Sequence, residues 1–274
     1  MQQKKMALKR ENTTIEQILG RASRTAPVKE LVEHIESRVV TEITSLAGSA
    51  FALYQSVVAR KMGGVHLLVA EDRDAAAYLA GDLYGLAEKE RVMFLPSSYK
   101  RSIVYGGEEP SSVVQCTAAL EAIRNHRNGY LLVCTYPEAL AERVVAAESV
   151  GERVVEVAVG ERLPMSALQE RIEELGFERV DFVHEPGQYS IRGGIFDIFS
   201  YSENKPFRLD FFGDEVDSLR RFDLSSQLST ERVERVRILP NLKNLAGGRK
   251  VPVSEYAEGA VWWVSNLDHT LSKI

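Results

Sequence analysis

Residues 50–70, AFALYQSVVARKMGGVHLLVA, decide the fold class of this chain. AFALYQSVVARKM has the apolar spacing of a helix, and VHLLVA reads as a buried strand. Further helical stretches then alternate with two apolar strands, RVMFL at 91–95 and GYLLVCT at 129–135. Because such strands are typical of a parallel sheet covered on both faces, we predict an α/β domain over residues 46–149. A helical lead-in is expected over residues 1–45.

A different pattern begins at residue 150. VVEVAVGE predicts an alternating strand, and LPMSALQERIEELGF predicts a helix that stops at Gly176. Strand then follows strand, separated by turns rich in Gly and Pro: VDFVHE, QYSIRGGIFDIFS, FRLDFFG and EVDSLRRFD. This pattern predicts an inserted antiparallel α+β domain over 150–239. Residues 240–274, with a loop at Gly247 and Gly248, are expected to return to the first domain.

The charge of the chain disfavours a broad nucleic-acid-binding surface. The formal net charge is −5, whereas a protein that binds DNA mainly through its phosphates usually has a positive electrostatic potential over its surface. The segment 151–240 is more acidic, with 12 Lys and Arg against 18 Asp and Glu. An acidic domain with scattered arginines is more consistent with binding a protein than with binding DNA.

The cysteines and the apolar runs indicate a cytoplasmic protein without a membrane partner. Cys116 and Cys134 are too few for a disulfide framework, so we expect both to be reduced core residues. No stretch reaches the roughly 18 apolar residues of a membrane span, and no secretion signal opens the chain. Because the chain stops soon after the apolar run at 260–267, we also expect a fragment of something longer.

The turn LAGSA at residues 46–50 occupies the place of a phosphate-binding loop. A working P-loop needs G-x-x-x-x-G-K-[ST], because its Lys meets the terminal phosphates and its hydroxyl holds magnesium. Gly48 and Ser49 are present, but no Lys follows them, and Lys61 is a full helix away. We interpret Gly48 and Ser49 as a tight turn at a degenerate P-loop position that binds no cofactor.

No other residues predict an active site. The carboxylates Asp214, Glu215 and Asp217 fit a hairpin turn and a solvated strand face as well as acid–base catalysis. The five histidines have no metal-ligand spacing. We therefore expect neither a catalytic residue nor a metal site.

The segment GQYSIRGGIFDIF at 187–199 has the composition of an interface. If the strand is continuous, alternation places Arg192, Gly194 and Phe196 on one sparsely covered face. A guanidinium beside an aromatic ring on such a face is typical of a protein-binding hot spot. Two alternatives stay open: Arg192 pairs with a carboxylate while Phe196 is core, or a break at Gly193 and Gly194 reverses the alternation.

This segment, followed by PFRLDFFGDEVDSLRRFDLSSQLS, resembles a signature shared by the transcription-repair coupling factors and the excision-repair protein UvrB. The ending SLRRFDLSSQ favours the coupling factors. Ser190 and Gly194 stand where UvrB carries an Arg and an acidic residue, and the intact P-loop of UvrB is missing.

The resemblance implies a fold and a partner. The fold would be a degenerate RecA-like, P-loop-like domain with an inserted α+β domain and a return segment, similar to domains 1a, 2 and 1b of UvrB. The inserted domain would imitate the UvrB surface that UvrA recognises. In the family this surface centres on positions that correspond to Arg192 and Phe196, with a second Arg that corresponds to Arg179.

The resemblance also implies a longer parent protein. Members of the family are ATP-driven DNA translocases that displace stalled RNA polymerase, and their motor domains use ATP and magnesium. The module is expected to fold back on the motor region and hide its UvrA surface until RNA polymerase is engaged. This chain would contact RNA polymerase and DNA only through the parent and would have no enzyme activity.

Two alternatives from other classes remain. One is a fragment of a UvrB-type excision helicase subunit, which would bind ATP. The other is a DNA-binding module that uses arginines interleaved with carboxylates, which also fit solvated faces. These arginines are Arg220, Arg221, Arg232, Arg235 and Arg237.

Overall fold

The computed structural model describes residues 15–44, 46–97, 110–243, 245 and 249–274. The start of the expected lead-in and the expected loop at Gly247 and Gly248 lie outside the described residues. The α-helices are α1 at 15–22, α2 (Ala26–Glu36), α3 (Ala50–Met62), α4 (Arg73–Leu86), α5 (Pro110–Asn125), α6 (Pro137–Leu140), α7 (Ala147–Val150), α8 (Met165–Glu174) and α9 (Leu267–Lys273). No helix within these ranges is both long and apolar enough to cross a lipid bilayer.

Fourteen strands form the sheets of the described part of the chain. They are β1 (Gly64–Val69), β2 (Val92–Phe94), β3 (Tyr130–Thr135), β4 (Arg143–Val145), β5 (Val155–Ala158), β6 (Glu178–Arg179), β7 (Gln188–Arg192), β8 (Ile195–Ile198), β9 (Phe207–Phe212), β10 (Glu215–Phe222), β11 (Ser229–Val233), β12 (Arg235–Ile238), β13 (Lys250–Pro252) and β14 (Val261–Val264).

The chain divides into two compact units. The first comprises the described parts of Met1–Leu95, Asn125–Leu140 and Ala257–Ile274, and the second those of Pro96–Arg124 and Ala141–Tyr256. This division does not follow the predicted boundaries near 149 and 240, and those boundaries stay predictions.

The first unit is built on a parallel sheet with the strand order β14-β1-β3-β2. Every residue of β3 is buried, as expected of a strand that is apolar throughout. Side chains from α3 and α4 pack with β1 and β3 in one core cluster. Cys134 lies in this cluster as a free thiol, and burial raises its pKa.

The second unit is built on a six-stranded sheet with the order β11-β10-β9-β8-β7-β6, antiparallel except for the β6–β7 pair. The amphipathic helix α8 buries Leu168 and Ile172 against one face of this sheet, and the β5–β12 pair joins the same core. We call the face of the six-stranded sheet that packs against α8 the core face. The opposite face, which carries Arg192, Asp197 and Arg208, is called the outer face.

The predicted α/β class, with a parallel sheet and antiparallel sheets, is confirmed. The strand predicted for VDFVHE, residues 180–185, is wrong, because β6, which pairs with β7, ends at Arg179 before this segment begins. After Val180 donates to Tyr189 O, the chain leaves the sheet. The carbonyl of Asp181 then accepts hydrogen bonds from Ser190 and Arg192, so the segment crosses the outer face.

Candidate protein-binding site

The segment around Arg192 is a tight hairpin rather than one continuous strand. Arg192 pairs with Ile195 and Ile191 pairs with Phe196, so the chain reverses at Gly193 and Gly194. Gly193 has a φ of +59°, a conformation that favours glycine at a two-residue turn. The expected shared face is therefore wrong: Arg192 and Phe196 lie on opposite faces of the sheet.

Phe196 belongs to the core and not to the surface. Its side chain is 0% exposed, and its ring stacks on Tyr189 with the two centroids 5.4 Å apart. Tyr189 in turn donates a hydrogen bond to Glu173, and burial raises its pKa to about 12. A partner protein cannot contact a ring that is enclosed in this way. Phe196 therefore supports the site from the core rather than forming it.

Arg192 is held on the outer face by three acceptors. Its Nη1 atom donates to Asp181 O at 2.8 Å and to Ser190 Oγ at 3.1 Å, and its Nη2 donates to Asp197 Oδ2 at 2.5 Å. About a third of the Arg192 side chain, 34%, still faces solvent. The guanidinium is thus fixed in orientation while one side remains accessible.

Asp197 supplies the buried negative charge of the outer face. Its side chain is 1% exposed and accepts two hydrogen bonds from Arg208, at 2.7 Å to Oδ1 and 2.9 Å to Oδ2. These bonds raise the pKa of the Arg208 guanidinium. A buried carboxylate with two charged donors is well compensated, and its removal would leave two cations without the carboxylate that binds them both.

Phe182 completes the exposed part of the site. The guanidinium carbon of Arg192 lies 4.7 Å from the centroid of the Phe182 ring, a cation–π contact, and Phe182 is 51% exposed. Sequence reasoning missed this residue because VDFVHE was read as a strand. The predicted pairing of Arg192 with Phe196 on this surface is wrong, and the aromatic ring beside Arg192 is that of Phe182.

The signature ending SLRRFDLSSQ comprises the end of β10 and, from Asp223 to Gln227, a turn beside this network. Asp223 Oδ1 accepts hydrogen bonds from Ser225 Oγ at 2.6 Å and from Ser226 N at 2.9 Å, and these bonds lower the pKa of Asp223 to about 2. The turn presents Gln227 O to Arg208 Nη1 at 3.2 Å. The motif thus helps to orient Arg208, which binds Asp197 together with Arg192.

Arg179 lies apart from Arg192. It pairs with Tyr189 across β6 and β7, so its side chain leaves the sheet on the core side, where it interacts electrostatically with Glu173. Both residues of β6 are exposed at the sheet edge. The structure therefore does not bring Arg179 and Arg192 together on one face.

Residues 155–243, which contain this whole site, match the family model of the UvrB interaction domain. This segment is therefore similar to the UvrB interaction domain and is called the UvrB interaction domain below. Over most of its length the chain is also similar to the transcription-repair-coupling factors. The protein of that name from Escherichia coli (strain K12) is 30% identical over 207 residues, 75% of this chain and 17% of the relative.

Two further proteins are similar to this chain over different lengths. The transcription-repair-coupling factor of Myxococcus xanthus is 28% identical over 251 residues, 88% of this chain and 21% of the relative. The UvrABC system protein B of Anaplasma marginale (strain Florida) is 37% identical over 95 residues, 34% of this chain and 14% of the relative. The chain spans about a fifth of the length of the coupling factors that it matches.

Most of the arginines considered for DNA binding are ion-paired within the UvrB interaction domain or to α5. Arg220 pairs with Asp210, Arg221 with Glu203, and Arg237 with Glu121 and Glu156. Arg235 lies 3.7 Å from Glu156. Such pairs reduce the positive field that phosphate binding needs.

The remaining candidate positions lie outside the outer-face network. Gly48 and Ser49 form an exposed turn in the first unit, where Gly48 has a φ of +55° and Ala50 begins α3. Asp214 and Glu215 are exposed at the β9–β10 turn. Among the residues described, no group of three His, Cys, Asp or Glu side chains could hold a metal ion.

Proposed function

We propose that this chain is the UvrA-binding module of a transcription-repair coupling factor and that Arg192 with Phe182 forms the centre of the UvrA-binding surface. The observation that carries the proposal is the arrangement of charge on the outer face. Arg192 exposes its guanidinium beside an exposed ring, whereas its counter-charge, Asp197, is buried. The match to the UvrB interaction domain supports a partner shared with UvrB.

The contacts of Arg192 favour tight binding because they fix its side chain before a partner arrives. A free arginine loses considerable rotamer entropy when it is immobilised in an interface. Here the contacts with Asp181, Ser190, Asp197 and Phe182 have already restricted it. Preorganised arginine and aromatic side chains are the usual anchors of protein interfaces. Arg179, at the edge of the sheet, is proposed as a separate contact outside this centre.

The rest of the chain is proposed to follow the arrangement of UvrB domains 1a, 2 and 1b. In this proposal residues 46–149 form a RecA-like domain, 150–239 the UvrA-binding domain and 240–274 the return segment. Gly48 and Ser49 would mark the nucleotide site that has lost its Lys, so the chain itself would be no enzyme. The parallel sheet and its β14 strand support this arrangement.

The parent protein is proposed to be an ATP-dependent DNA translocase that recruits nucleotide excision repair to stalled RNA polymerase. Contacts of this module with RNA polymerase and DNA would arise only through the parent. We also propose that the outer face can be covered by the motor region of the parent, which would keep UvrA from binding until the two separate. The similarity to transcription-repair-coupling factors supports both proposals.

A UvrB-type helicase subunit is the second candidate, because a UvrABC system protein B is 37% identical over 95 residues. The two functions differ in their need for nucleotide. Titration of the chain with ATP and magnesium separates them, since the missing Lys after Gly48 and Ser49 predicts no saturable binding. Saturable binding of ATP would favour the helicase subunit.

The experiment that tests the proposed function is competition for UvrA. The chain and UvrB are mixed with purified UvrA, and the UvrA–UvrB complex is measured as the chain concentration rises. If both use the same UvrA surface, the chain displaces UvrB completely. Undiminished UvrA–UvrB complex at saturating chain would contradict the proposal.

A further inference from the structure

Phe212 is the most exposed aromatic side chain in the described part of the UvrB interaction domain, with 83% of its surface facing solvent. It is the last residue of β9, directly before the turn at Gly213 and Asp214. Burying a Phe side chain is worth about 1.5–3 kcal/mol, so this ring offers a partner a large gain. Isolated exposed apolar residues are common on protein surfaces, so exposure alone does not indicate a binding site. The position of Phe212 on the sheet is the second observation that is needed.

Strand pairing places Phe212 on the outer face with Arg192. Arg208 and Asp210 of β9 lie on that face, and alternation puts Phe212 there as well, while Phe211 packs against the core. Arg192 pairs with Ile195, which pairs with Asp210, two residues before Phe212. Two strand spacings across the sheet and two residues along it separate the Cα atoms of Arg192 and Phe212 by roughly 12 Å.

The hairpin turn beside β9 leaves the space around Phe212 open. Phe211 N donates to Gly194 O at 2.8 Å, so the turn and the end of β9 are adjacent. A Cβ atom on Gly194 would lie 2.9 Å from Phe211 O, which excludes a side chain there without a shift of the backbone. One partner footprint of about 800 Å² covers a distance of 12 Å easily.

The charges around Phe212 define the chemistry of its partner. Arg192 and Arg220, whose side chains are a third exposed, lie on one side, and their carboxylates Asp197 and Asp210 are more buried. Asp214 and Glu215 are exposed on the other side, at the turn. A matching pocket is apolar at its centre, with acceptor groups toward the arginines and basic groups toward the turn.

We propose that Phe212 is the second aromatic anchor of the surface that binds UvrA, inserting into a pocket of that chemistry while Arg192 and Phe182 bind beside it. The inference rests on the proposed function, because it takes UvrA as the occupant of the outer face. It adds a contact on a strand that lies two strands away from Arg192.

The test is calorimetric titration of purified UvrA with the chain and with Phe212→Ala, Phe212→Tyr and Tyr78→Ala. Tyr78 is an exposed aromatic residue of the first unit and serves as the matched control. Phe212→Ala is expected to weaken binding about tenfold or more, as truncation of an interface anchor does. Phe212→Tyr retains the ring and is expected to stay within about threefold of the unsubstituted chain, and Tyr78→Ala within about twofold.

The two hypotheses fail in different ways. If Phe212→Ala binds UvrA like the unsubstituted chain while Arg192→Ala binds poorly, the Phe212 anchor is wrong and the proposed function stands. If the unsubstituted chain does not bind UvrA, both are wrong. An equal weakening by Phe212→Ala and Tyr78→Ala would also overturn the anchor. Thermal unfolding of each variant must be unchanged, which the exposure of both side chains predicts.

Discussion

Arg192 and Arg208 share one buried carboxylate, since Arg192 Nη2 lies 2.5 Å from Asp197 Oδ2 and Arg208 Nε lies 2.7 Å from Oδ1. The residue that orients the exposed arginine is therefore also a structural residue of the sheet. Asp197→Ala removes the buried carboxylate that binds both guanidinium groups and is expected to lower the free energy of unfolding by about 3–5 kcal/mol. Urea denaturation followed by circular dichroism measures this change.

The matched control for Asp197 is Asp210→Ala. Asp210 accepts hydrogen bonds from Arg220 and Ser218, but it is 22% exposed and water can replace its contacts. We expect a loss of about 1 kcal/mol, typical of a partly exposed pair. Equal losses in the two variants would show that the burial of Asp197 has no special role.

Phe196 gives a prediction that separates a core role from a binding role. Phe196→Ala removes a fully buried ring from between α8 and the sheet and is expected to cost about 3–5 kcal/mol of stability. Phe196→Leu keeps most of the volume and is expected to cost less than about 1.5 kcal/mol. A Phe196→Ala variant with unchanged thermal stability but lost UvrA binding would contradict the core assignment.

The first unit contains a buried histidine that predicts a dependence of stability on pH. His66 accepts a hydrogen bond from Trp263 Nε1 at Nδ1, 3.1 Å away, and its Nε2 contacts Gly63 O at 3.1 Å. Burial lowers the pKa of His66 to about 4 from its ordinary value of 6.5. In the unfolded chain the imidazole takes up its proton near pH 6.5, whereas the folded protein resists protonation until about pH 4.

The contribution of His66 is therefore complete above pH 6.5 and is lost as the pH falls toward 4. The expected loss is about 3 kcal/mol, measured as a fall in the free energy of unfolding between pH 7 and pH 4. His66→Gln should abolish this part of the pH dependence, and substitution of the exposed His184 by Gln should preserve it. A slope that is the same in all three proteins would contradict the prediction.

The fold was predictable where the pattern is local, and the site was predictable only in part. Apolar strands such as β3 can be recognised from their composition because both faces are buried. Alternation failed at Gly193 and Gly194, because a two-residue turn reverses the chain without any change in the apolar pattern. Phe182 was missed because its contact with Arg192 depends on where the segment after Val180 crosses the sheet. Two adjacent glycines inside an apparent strand were the signal that could have revealed the hairpin.

The most direct test of the account is the affinity of UvrA for Arg192→Ala compared with Arg235→Ala. Both variants lose one positive charge from the UvrB interaction domain, but Arg235 lies on β12, outside the six-stranded sheet. Arg192→Ala is expected to lose about 2 kcal/mol of binding free energy, roughly thirtyfold in affinity, without loss of fold. Arg235→Ala is expected to bind as the unsubstituted chain does. Undiminished binding of UvrA by a folded Arg192→Ala variant would contradict the outer face as the UvrA-binding surface.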